Sequence, residues 1–403
     1  MDVGRIRKDF PLYDKGSEAP VYLDSACQSL RPRQVIEAMD QYYTSYPACG
    51  GRSDHRFATQ VSLKVDEARE SIARFIGAES DTEVVFTKSC TEALNTVAFG
   101  LNLERGDVVV STDAEHNSNH VPWMELADRK GIVRRFCRST KEGLFDMEAF
   151  KGTLDRKVKV VSMVHTNNVN GVTIPVREIS ELAHDHGALM VVDGAQSAPH
   201  MHLDMVRMGI DLFGMSLHKM LGPSGMGVLY GRAEHLKMLR PLMSGGGSVL
   251  ETGYDHATYL PPPEKFEAGL LNYAGIIGGG AAVEYLRKVG MDDVQEHGHR
   301  LNRIMTTGLL NLEEVRLLDP VDPDKRGSIC SFNVKGLTSH DVAMFLDEIG
   351  QVMIRSGSHC SHPYFLSRGL DGCARASTYI YNDETDAKRF VDCVERMVKV
   401  FAS

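Results

Sequence analysis

Six short apolar runs, separated by segments of helical pattern, constrain the fold more than any other feature of the sequence. They are EVVFT (83–87), DVVVST (107–112), KVVSMV (159–164), LMVVD (189–193), DLFGMS (211–216) and GVLYG (227–231). Alternation of strand and helix favours a mostly parallel sheet. The runs are apolar on consecutive residues, which is typical of strands covered on both faces. The sequence therefore predicts an α/β fold with a mostly parallel central sheet flanked by helices.

The two ends of the chain have a different pattern. Residues 291–313 and 383–401 read as amphipathic helices, and SICSFNV (328–334) is a strand candidate. The prolines of LPPPEKF (260–266) favour extended backbone and mark a linker. We predict an N-terminal segment (1–59), a large domain (60–265), and a linking helix followed by a small domain (266–403). The small domain is expected to be α+β and to include the N-terminal segment.

Composition and charge exclude several classes of protein. A formal net charge of −9 over 403 residues argues against a nucleic-acid surface. The N-terminal residues lack the apolar core of a secretory signal. The longest apolar run, AGLLNYAGIIGGGAAV (268–283), is shorter than the roughly 20 residues that cross a bilayer, so it predicts a buried helix. The eight cysteines form no C-x-x-C pair, which favours reduced thiols. We expect a cytoplasmic protein without nucleic-acid or membrane partners.

Polar residues follow several of the predicted strands. Ligands of an open parallel sheet bind beyond the carboxyl ends of its strands. The candidates there are Ser89, Cys90, Thr91, His116, Asn167, Asn168, Asp193, Gln196, Ser216, His218 and Lys219. Together they supply helix amides for a phosphate, a ring for stacking, an acid and an amine. Pyridoxal 5'-phosphate requires this set, since the amine forms a Schiff base and the acid keeps the pyridine nitrogen protonated.

Each candidate alone has a simpler explanation. A lysine near a strand end is commonly a solvated surface residue, and an aspartate there is commonly a turn former. His116 alone fits a structural role, and Thr91 alone fits a helix cap. Two other enzyme classes lack their motifs. GPSGM (222–226) has no closing glycine for the G-x-S-x-G of a serine hydrolase, and no G-x-G-x-x-G follows the first strand. Convergence at one sheet edge favours the cofactor site.

The order of several motifs resembles the class V aminotransferase family, in the branch of cysteine desulfurases and selenocysteine lyases. The resemblance runs nearly end to end. The motifs are VYLDSACQSLRP (21–32), RSDH (52–55), CTEALN (90–95), VDGAQS (192–197), SLHKMLGPSGMGVLY (216–230) and FEAG (266–269). It implies a fold type I enzyme dependent on pyridoxal 5'-phosphate, acting as a homodimer.

The resemblance also implies roles for individual residues. Lys219 would be the Schiff-base lysine, Asp193 the partner of the pyridine nitrogen, Gln196 that of the ring hydroxyl, and His116 the stacking ring and a proton carrier. The phosphate would be held by Cys90, Thr91, Ser216 and His218. Asn168 would contact cofactor and substrate, Arg375 would clamp the substrate carboxylate as a two-pronged ion pair, and His55 of RSDH would be a further substrate-binding residue.

IRSGSHCSHP (354–363) resembles the loop that carries the persulfide-forming cysteine of the desulfurases. Cys360 would then attack the sulfur of L-cysteine, leaving L-alanine and a persulfide for an acceptor or scaffold protein, as in iron-sulfur cluster assembly. The short connection from Cys360 to Arg375 resembles the type II desulfurases. Two alternatives are a buried thiol and a metal site of His359, Cys360 and His362, although this run lacks a second ligand pair. No metal is expected.

Four departures from the family pattern leave the substrate open. Leu270 stands where a threonine usually reaches the neighbouring subunit's phosphate, while Cys90 and Cys27 replace a threonine and an alanine. Ser358 replaces one of two histidines before the loop cysteine. The nearest rival is a selenocysteine lyase or another class V enzyme acting on a related amino acid. A second rival is a non-catalytic sulfur carrier or assembly partner, against which the retention of the catalytic set argues.

Overall fold

The computed structural model describes residues 1–401, which form helices and strands in alternation. The α-helices are α1 (Val3–Arg7), α2 (Arg33–Ser45), α3 (Arg56–Ile76), α4 (Cys90–Gly100), α5 (Asn117–Lys130), α6 (Met147–Lys151), α7 (Val176–Asp185), α8 (Ala233–Met238), α9 (Tyr273–Val289), α10 (Met291–Leu310), α11 (Ser339–Gly350), α12 (His362–Leu366) and α13 (Glu384–Phe401). Short 3₁₀ helices span Pro11–Glu18, Asp81–Glu83, Leu217–Lys219, Glu264–Phe266 and Pro323–Lys325.

The strands form one large sheet and three smaller ones. They are β1 (Val21–Tyr22), β2 (Val84–Thr87), β3 (Val108–Thr112), β4 (Val133–Cys137), β5 (Val158–Val164), β6 (Leu189–Asp193), β7 (Leu212–Ser216), β8 (Gly227–Gly231), β9 (Val249–Thr252), β10 (Ala257–Tyr259), β11 (Val315–Leu317), β12 (Ile329–Val334), β13 (Val352–Met353), β14 (Arg355–Gly357) and β15 (Cys373–Ser377).

The central sheet has the strand order β2-β8-β7-β6-β5-β3-β4. Its pairs are parallel except for the two that involve β8. Val108 and Val110 belong to one apolar cluster and Val109 to another, so helices cover both faces of the sheet. The predicted α/β fold, with its six strands, is confirmed. The parallel strands bring their carboxyl ends to one edge, where the candidate residues lie.

The strand β4 was missed because its sequence, VRRFC, carries two arginines and reads as polar. It lies at the edge of the sheet beside β3. Val133 is exposed and the next three residues are only half-buried. An edge strand leaves part of its surface in water, so it needs no continuous apolar run.

The predicted buried helix is α9, which begins at Tyr273 because the Asn272 side chain caps it by accepting from the Gly275 amide at 3.0 Å. The residues before Asn272 therefore lie outside the helix. A Cβ on Gly280 would lie 2.7 Å from Cβ of Ala68 in α3. The glycine thus allows α3 and α9 to pack at close range.

A second sheet, β11-β12-β15-β14, is antiparallel and packs with α10, α11 and α13. The strand β1 from the N-terminal segment pairs in parallel with β13. This pairing brings the N-terminal segment beside the C-terminal part of the chain, while the predicted domains, with boundaries at 59/60 and 265/266, stay predictions. None of the described helices combines the length and apolarity needed to cross a membrane.

Candidate active site

A cavity of about 190 Å³ lies at the carboxyl edge of the central sheet. Predicted site residues from both chain halves line it: Cys90, Thr91, His116, Asn168, Asp193, Gln196, Ser216, His218, Lys219, Cys360 and Arg375. The strands β6 and β7 end at Asp193 and Ser216, and parallel pairing places both ends at the same edge. The cavity therefore brings together acid, amine, thiol and guanidinium.

His55 lies outside this group. It is exposed at the start of α3, where its Nδ1 accepts a hydrogen bond from the Ala58 amide at 3.3 Å. It is absent from the lining of the cavity. Its contact with substrate stays a prediction.

Lys219 ends the 3₁₀ turn that follows β7. Burial lowers the pKa of its amine, and the nearby Asp193 carboxylate opposes that shift. Because the neutral amine is the nucleophilic form, the lowered pKa favours attack on a carbonyl carbon. The placement of a lysine between an apolar strand and a glycine-rich turn thus has a chemical reason.

Asp193 is buried at the end of β6, with 2% of its surface exposed. Its Oδ1 accepts from the Ala195 amide at 3.0 Å and from the Cys90 thiol at 3.3 Å. Burial raises the pKa of the Cys90 thiol well above its usual value, and the Asp193 carboxylate adds to the shift. The thiol therefore stays protonated and donates. Both contacts use Oδ1, which leaves Oδ2 for a cationic donor in the cavity.

The N-terminus of α4 forms the anion-binding side of the cavity. Ser89 caps the helix by accepting from the Glu92 amide at 3.3 Å. The Ser216 hydroxyl accepts from the Cys90 amide at 2.9 Å, and the hydroxyls of Thr91 and Ser118 share a hydrogen bond of 2.6 Å. Amides and hydroxyls at a helix N-terminus suit a phosphate. Ser118 was missed, although it lies two residues after His116 in EHNSN.

His116 occupies the cap position of α5, where its Nδ1 accepts from the Ser118 amide at 3.1 Å. Burial lowers the pKa of His116 to about 4, and the Lys219 charge adds to the shift. The imidazole is therefore neutral near pH 7. A neutral ring can stack on an aromatic ligand and accept a proton.

Arg375 lies on β15 and is 2% exposed. Its Nη1 donates to the backbone oxygen of Asn168 at 2.8 Å, and its Nη2 has a long contact of 3.4 Å with Asp24 Oδ1. Its Nε has no partner. Burial lowers the pKa of the guanidinium, but arginine remains charged in proteins. The side chain keeps donor capacity for a carboxylate.

Cys360 is exposed, which argues against the alternative of a buried structural thiol. His359 and Cys360 both have left-handed backbone, with φ of 49° and 55°. Asn168 holds this turn, since its Nδ2 donates to the His359 carbonyl at 2.8 Å and its Oδ1 accepts from Ser361 at 3.0 Å. The Asn117 amide donates to the Cys360 carbonyl at 2.7 Å. The thiol is thus on a fixed loop.

The histidines flanking Cys360 are engaged elsewhere. His359 is buried with its Nε2 3.1 Å from the Cys373 carbonyl, and burial lowers its pKa to about 3. His362 Nδ1 lies 3.0 Å from Asn117 Nδ2. Within residues 1–401, no group of three or more His, Cys, Asp and Glu side chains could hold a metal ion.

Two residues that line the cavity, and a third that contacts the lining, were not assigned from the sequence. Arg355 of β14 donates from Nη1 to the Cys27 sulfur at 2.8 Å, and both residues line the cavity. Asp24 contacts Arg375, as described above. The motif VYLDSACQSLRP contains Cys27 and Asp24, but residue types alone do not reveal that they contact arginines more than three hundred residues away.

The donor set fits pyridoxal 5'-phosphate. Gln196 is buried, and its Nε2 donates to the Ala26 carbonyl at 2.7 Å, while its Oε1 has no partner. An unpaired buried oxygen carries a desolvation cost, which a ligand hydroxyl would offset. Asp193 would pair with the pyridine nitrogen, and the N-terminus of α4 with the phosphate. The part of the cavity wall at Arg375 and Cys360 would not contact the cofactor and could bind a substrate.

Comparison with known proteins agrees with this geometry. A family model described as aminotransferase class-V matches residues 21–390. The chain is 39% identical, over 406 aligned residues, to a probable cysteine desulfurase of Halalkalibacterium halodurans, covering 100% of this chain and 99% of that protein. A solved structure of a cysteine desulfurase from Thermococcus onnurineus NA1 superposes with a TM-score of 0.94 at 38% identity, covering 98% of both chains. The cysteine desulfurase CsdA from Escherichia coli gives 0.92 at 30% identity, covering 99% of each. The chain belongs to the class-V aminotransferase family.

Proposed function

We propose that the protein is a pyridoxal 5'-phosphate-dependent cysteine desulfurase that converts L-cysteine to L-alanine and holds the sulfur as a persulfide on Cys360. The observation that carries the proposal is the exposed Cys360 thiol on a fixed loop, in the cavity that also holds Lys219, Asp193 and Arg375. The resemblance to proteins named cysteine desulfurase supports the same activity.

The residues of the site have separate chemical roles. The bound cofactor supplies an electron sink that weakens the bonds at the substrate α-carbon. Asp193 keeps the pyridine nitrogen protonated, and Lys219, with its lowered pKa, moves the α-proton. Arg375 binds the substrate carboxylate and orients the sulfur toward the Cys360 loop.

Cys360 then accepts the sulfur. Its thiolate attacks the substrate sulfur, the carbon–sulfur bond breaks, and its electron pair stays on the carbon that becomes the alanine methyl group. His116, which lines the cavity, is neutral, so it can accept a proton and pass it on to that product. A reductant or an acceptor protein must then remove the sulfur from Cys360, for iron-sulfur cluster assembly or related sulfur trafficking.

The assembly and the partners belong to the same proposal. The segment 242–270 exposes Leu250, Tyr254 and Leu270, with 69%, 107% and 66% of their surfaces exposed. Exposed apolar side chains of this size favour a homodimer. The eight free thiols support a reducing compartment such as the cytoplasm. The partners are L-cysteine and a sulfur acceptor or scaffold, without nucleic acid or membrane.

A selenocysteine lyase is the second candidate, because a selenol leaves readily and needs less help from a loop cysteine. The test compares alanine formation by the wild type and Cys360→Ala on cysteine and on selenocysteine. We expect Cys360→Ala to lose activity on cysteine by about a hundredfold or more and to retain it on selenocysteine. Cys49→Ser, at an exposed cysteine outside the cavity, is the control. Undiminished activity of Cys360→Ala on cysteine would contradict the role of Cys360.

A further inference from the structure

Three cysteines line the cavity: Cys360, Cys90, whose buried thiol donates to Asp193, and Cys27. Cys27 is partly exposed and lines the cavity together with Lys219, Arg375 and Cys360. Arg375, whose buried Nε has no partner, is another of the lining residues. Cys27 is therefore a partly exposed thiol within a ligand-binding space, and not an isolated surface cysteine.

The fold brings the two cysteines to one place from opposite ends of the chain. The strands β1 and β13 pair in parallel, with Val21 opposite Val352 and Tyr22 opposite Met353. Both strands therefore leave the pair at the same end. The chain reaches Cys27 five residues after Tyr22, and it reaches Cys360 seven residues after Met353. Their convergence on one cavity follows from this pairing.

Neighbouring residues fix the backbone around Cys27. The Ala26 amide donates to the Ser377 hydroxyl at 2.9 Å, and the Ala26 carbonyl accepts from Gln196 Nε2 at 2.7 Å. The Cys27 amide donates to the Asp24 carbonyl at 3.0 Å. These bonds come from the segment after β6, from β15 and from the turn itself, so the backbone at Cys27 has a defined position.

A guanidinium lies against the Cys27 sulfur. Arg355 Nη1 is 2.8 Å from Sγ, and Nη1 is also 3.9 Å from Asp24 Oδ2. Arg355 is the first residue of β14, two positions after β13 ends, and lies five residues before Cys360. A fixed positive charge beside a sulfur stabilises negative charge on it, whether the sulfur attacks as a thiolate or carries a terminal persulfide.

We propose that Cys27 takes the sulfur from the Cys360 persulfide and forms a second, inner persulfide beside Arg355. The inference rests on the proposed desulfurase activity. The Cys27 sulfur attacks the terminal sulfur of the Cys360 persulfide. A bond forms between these two atoms, the bond from Cys360 Sγ to the terminal sulfur breaks, and Cys360 leaves as a thiolate. The Cys27 proton passes to solvent or to Cys360, and nothing is oxidised or reduced overall. Cys360 is then free for another turnover.

The test locates the transferred sulfur. Holoenzyme is mixed with L-cysteine without reductant, quenched with an alkylating agent, and digested for peptide mass spectrometry, while alanine is measured in parallel. The wild type is expected to carry an extra sulfur on the Cys27 peptide as well as on the Cys360 peptide. Its alanine burst should be about twice that of Cys27→Ala, because two thiols store sulfur instead of one.

Two further variants separate a relay from a merely structural cysteine. Arg355→Gln keeps the Cys27 thiol but should lower the share of sulfur on the Cys27 peptide several-fold, whereas Cys49→Ser should leave the distribution as in the wild type. An extra sulfur on the Cys27 peptide of Cys360→Ala would overturn the relay, since Cys27 would then take sulfur without Cys360.

Other outcomes overturn the proposal at different levels. Sulfur on the Cys360 peptide alone, with an unchanged alanine burst in Cys27→Ala, would overturn the relay and leave the desulfurase intact. If the wild type formed no alanine and carried no sulfur on either peptide, the proposed function itself would fail, and the relay with it.

Discussion

Arg375 is the residue at which the difference between an arginine and a lysine side chain matters most. Its Nη1 is engaged by the Asn168 carbonyl, whereas its Nε has no partner. Arg375→Lys keeps a positive charge but loses the planar fork. We expect KM for cysteine to rise by about tenfold or more, with a smaller change in kcat, because a lysine cannot hold the carboxylate by two parallel bonds.

Steady-state kinetics of alanine formation check this expectation. Arg396→Lys, at an exposed position of α13, is the matched control and should behave as the wild type. An unchanged KM in Arg375→Lys, together with a large fall in kcat, would assign the arginine to another step.

The residues that the sequence could identify are those whose chemistry is unusual for their position. Lys219 follows a buried strand and Asp193 ends one, and both line the predicted cavity. Arg355 could not be found in this way. Its importance lies in a contact with Cys27, 328 positions away, and a contact of that range depends on the parallel pairing of two short strands. No local pattern encodes it.

The loop that carries Cys360 is held as a unit by Asn168. The Asn168 side chain bonds to the residues on both sides of Cys360, at 2.8 and 3.0 Å. Asn168→Ala removes both bonds and frees two residues that have left-handed backbone. We expect activity on cysteine to fall by roughly tenfold or more, and activity on selenocysteine to fall less.

Two measurements test whether Asn168 holds the loop that carries Cys360. Alanine formation from the two amino acids gives the ratio, and the rate of Cys360 alkylation reports directly on the mobility of the thiol. Asn311→Ala, at an exposed position after α10, provides the control. Equal losses on both substrates with an unchanged alkylation rate would place the effect of Asn168 in the cofactor site instead of the loop.

A buried ion pair connects α3 to the segment after β10. Arg69 Nη1 and Nη2 bond to the two oxygens of Glu267 at 2.8 and 2.9 Å, and Glu267 also accepts from the Phe86 amide at 2.7 Å. Both side chains are less than a tenth exposed. Arg69→Met leaves the Glu267 carboxylate buried without its cation, which should cost about 3–5 kcal/mol in the free energy of unfolding.

Urea unfolding of the holoenzyme measures that cost. Arg74→Met lies one turn further along the same helix, where the side chain is 57% exposed, and should change the stability by less than about 1 kcal/mol. Equal effects of the two substitutions would mean that the pair at Glu267 contributes no more than a surface pair.

Helices and strands could be predicted from the sequence where the same surroundings extend along the whole helix or strand. The buried strands read correctly, because both of their faces meet apolar helices, and α10 and α13 read correctly from their single apolar face. The strand β4 could not be predicted in this way, because it lies at the edge of the sheet and is exposed to water on one side. The start of α9 was shifted because the capping of Asn272 outweighs the apolar character of the residues before it.

At the scale of the whole molecule, buried histidines couple stability to pH. Burial lowers the pKa of His165 to about 4, and of His200 and His359 to about 3. An unfolded histidine has a pKa of about 6.5. Between these values the unfolded chain binds more protons than the folded one, so acidification favours unfolding. The contribution of these residues is complete above about pH 6.5 and is lost as pH falls toward about 4.

The buried Glu115 acts in the opposite direction. Burial raises the pKa of Glu115 to about 7, so the folded state holds that proton more tightly than an unfolded chain does, and acidification from about pH 7 to about pH 4.5 stabilises the fold at this residue. Burial also lowers the pKa of His116, His120 and His218 to about 4, so the histidines together outweigh this glutamate. We therefore expect the urea midpoint of the holoenzyme to fall as pH is lowered from about 7 to about 5. His200→Asn, which cannot titrate, should reduce that fall, whereas His256→Asn, at an exposed histidine, should not. A midpoint that rose on acidification would show that the carboxyl groups dominate instead.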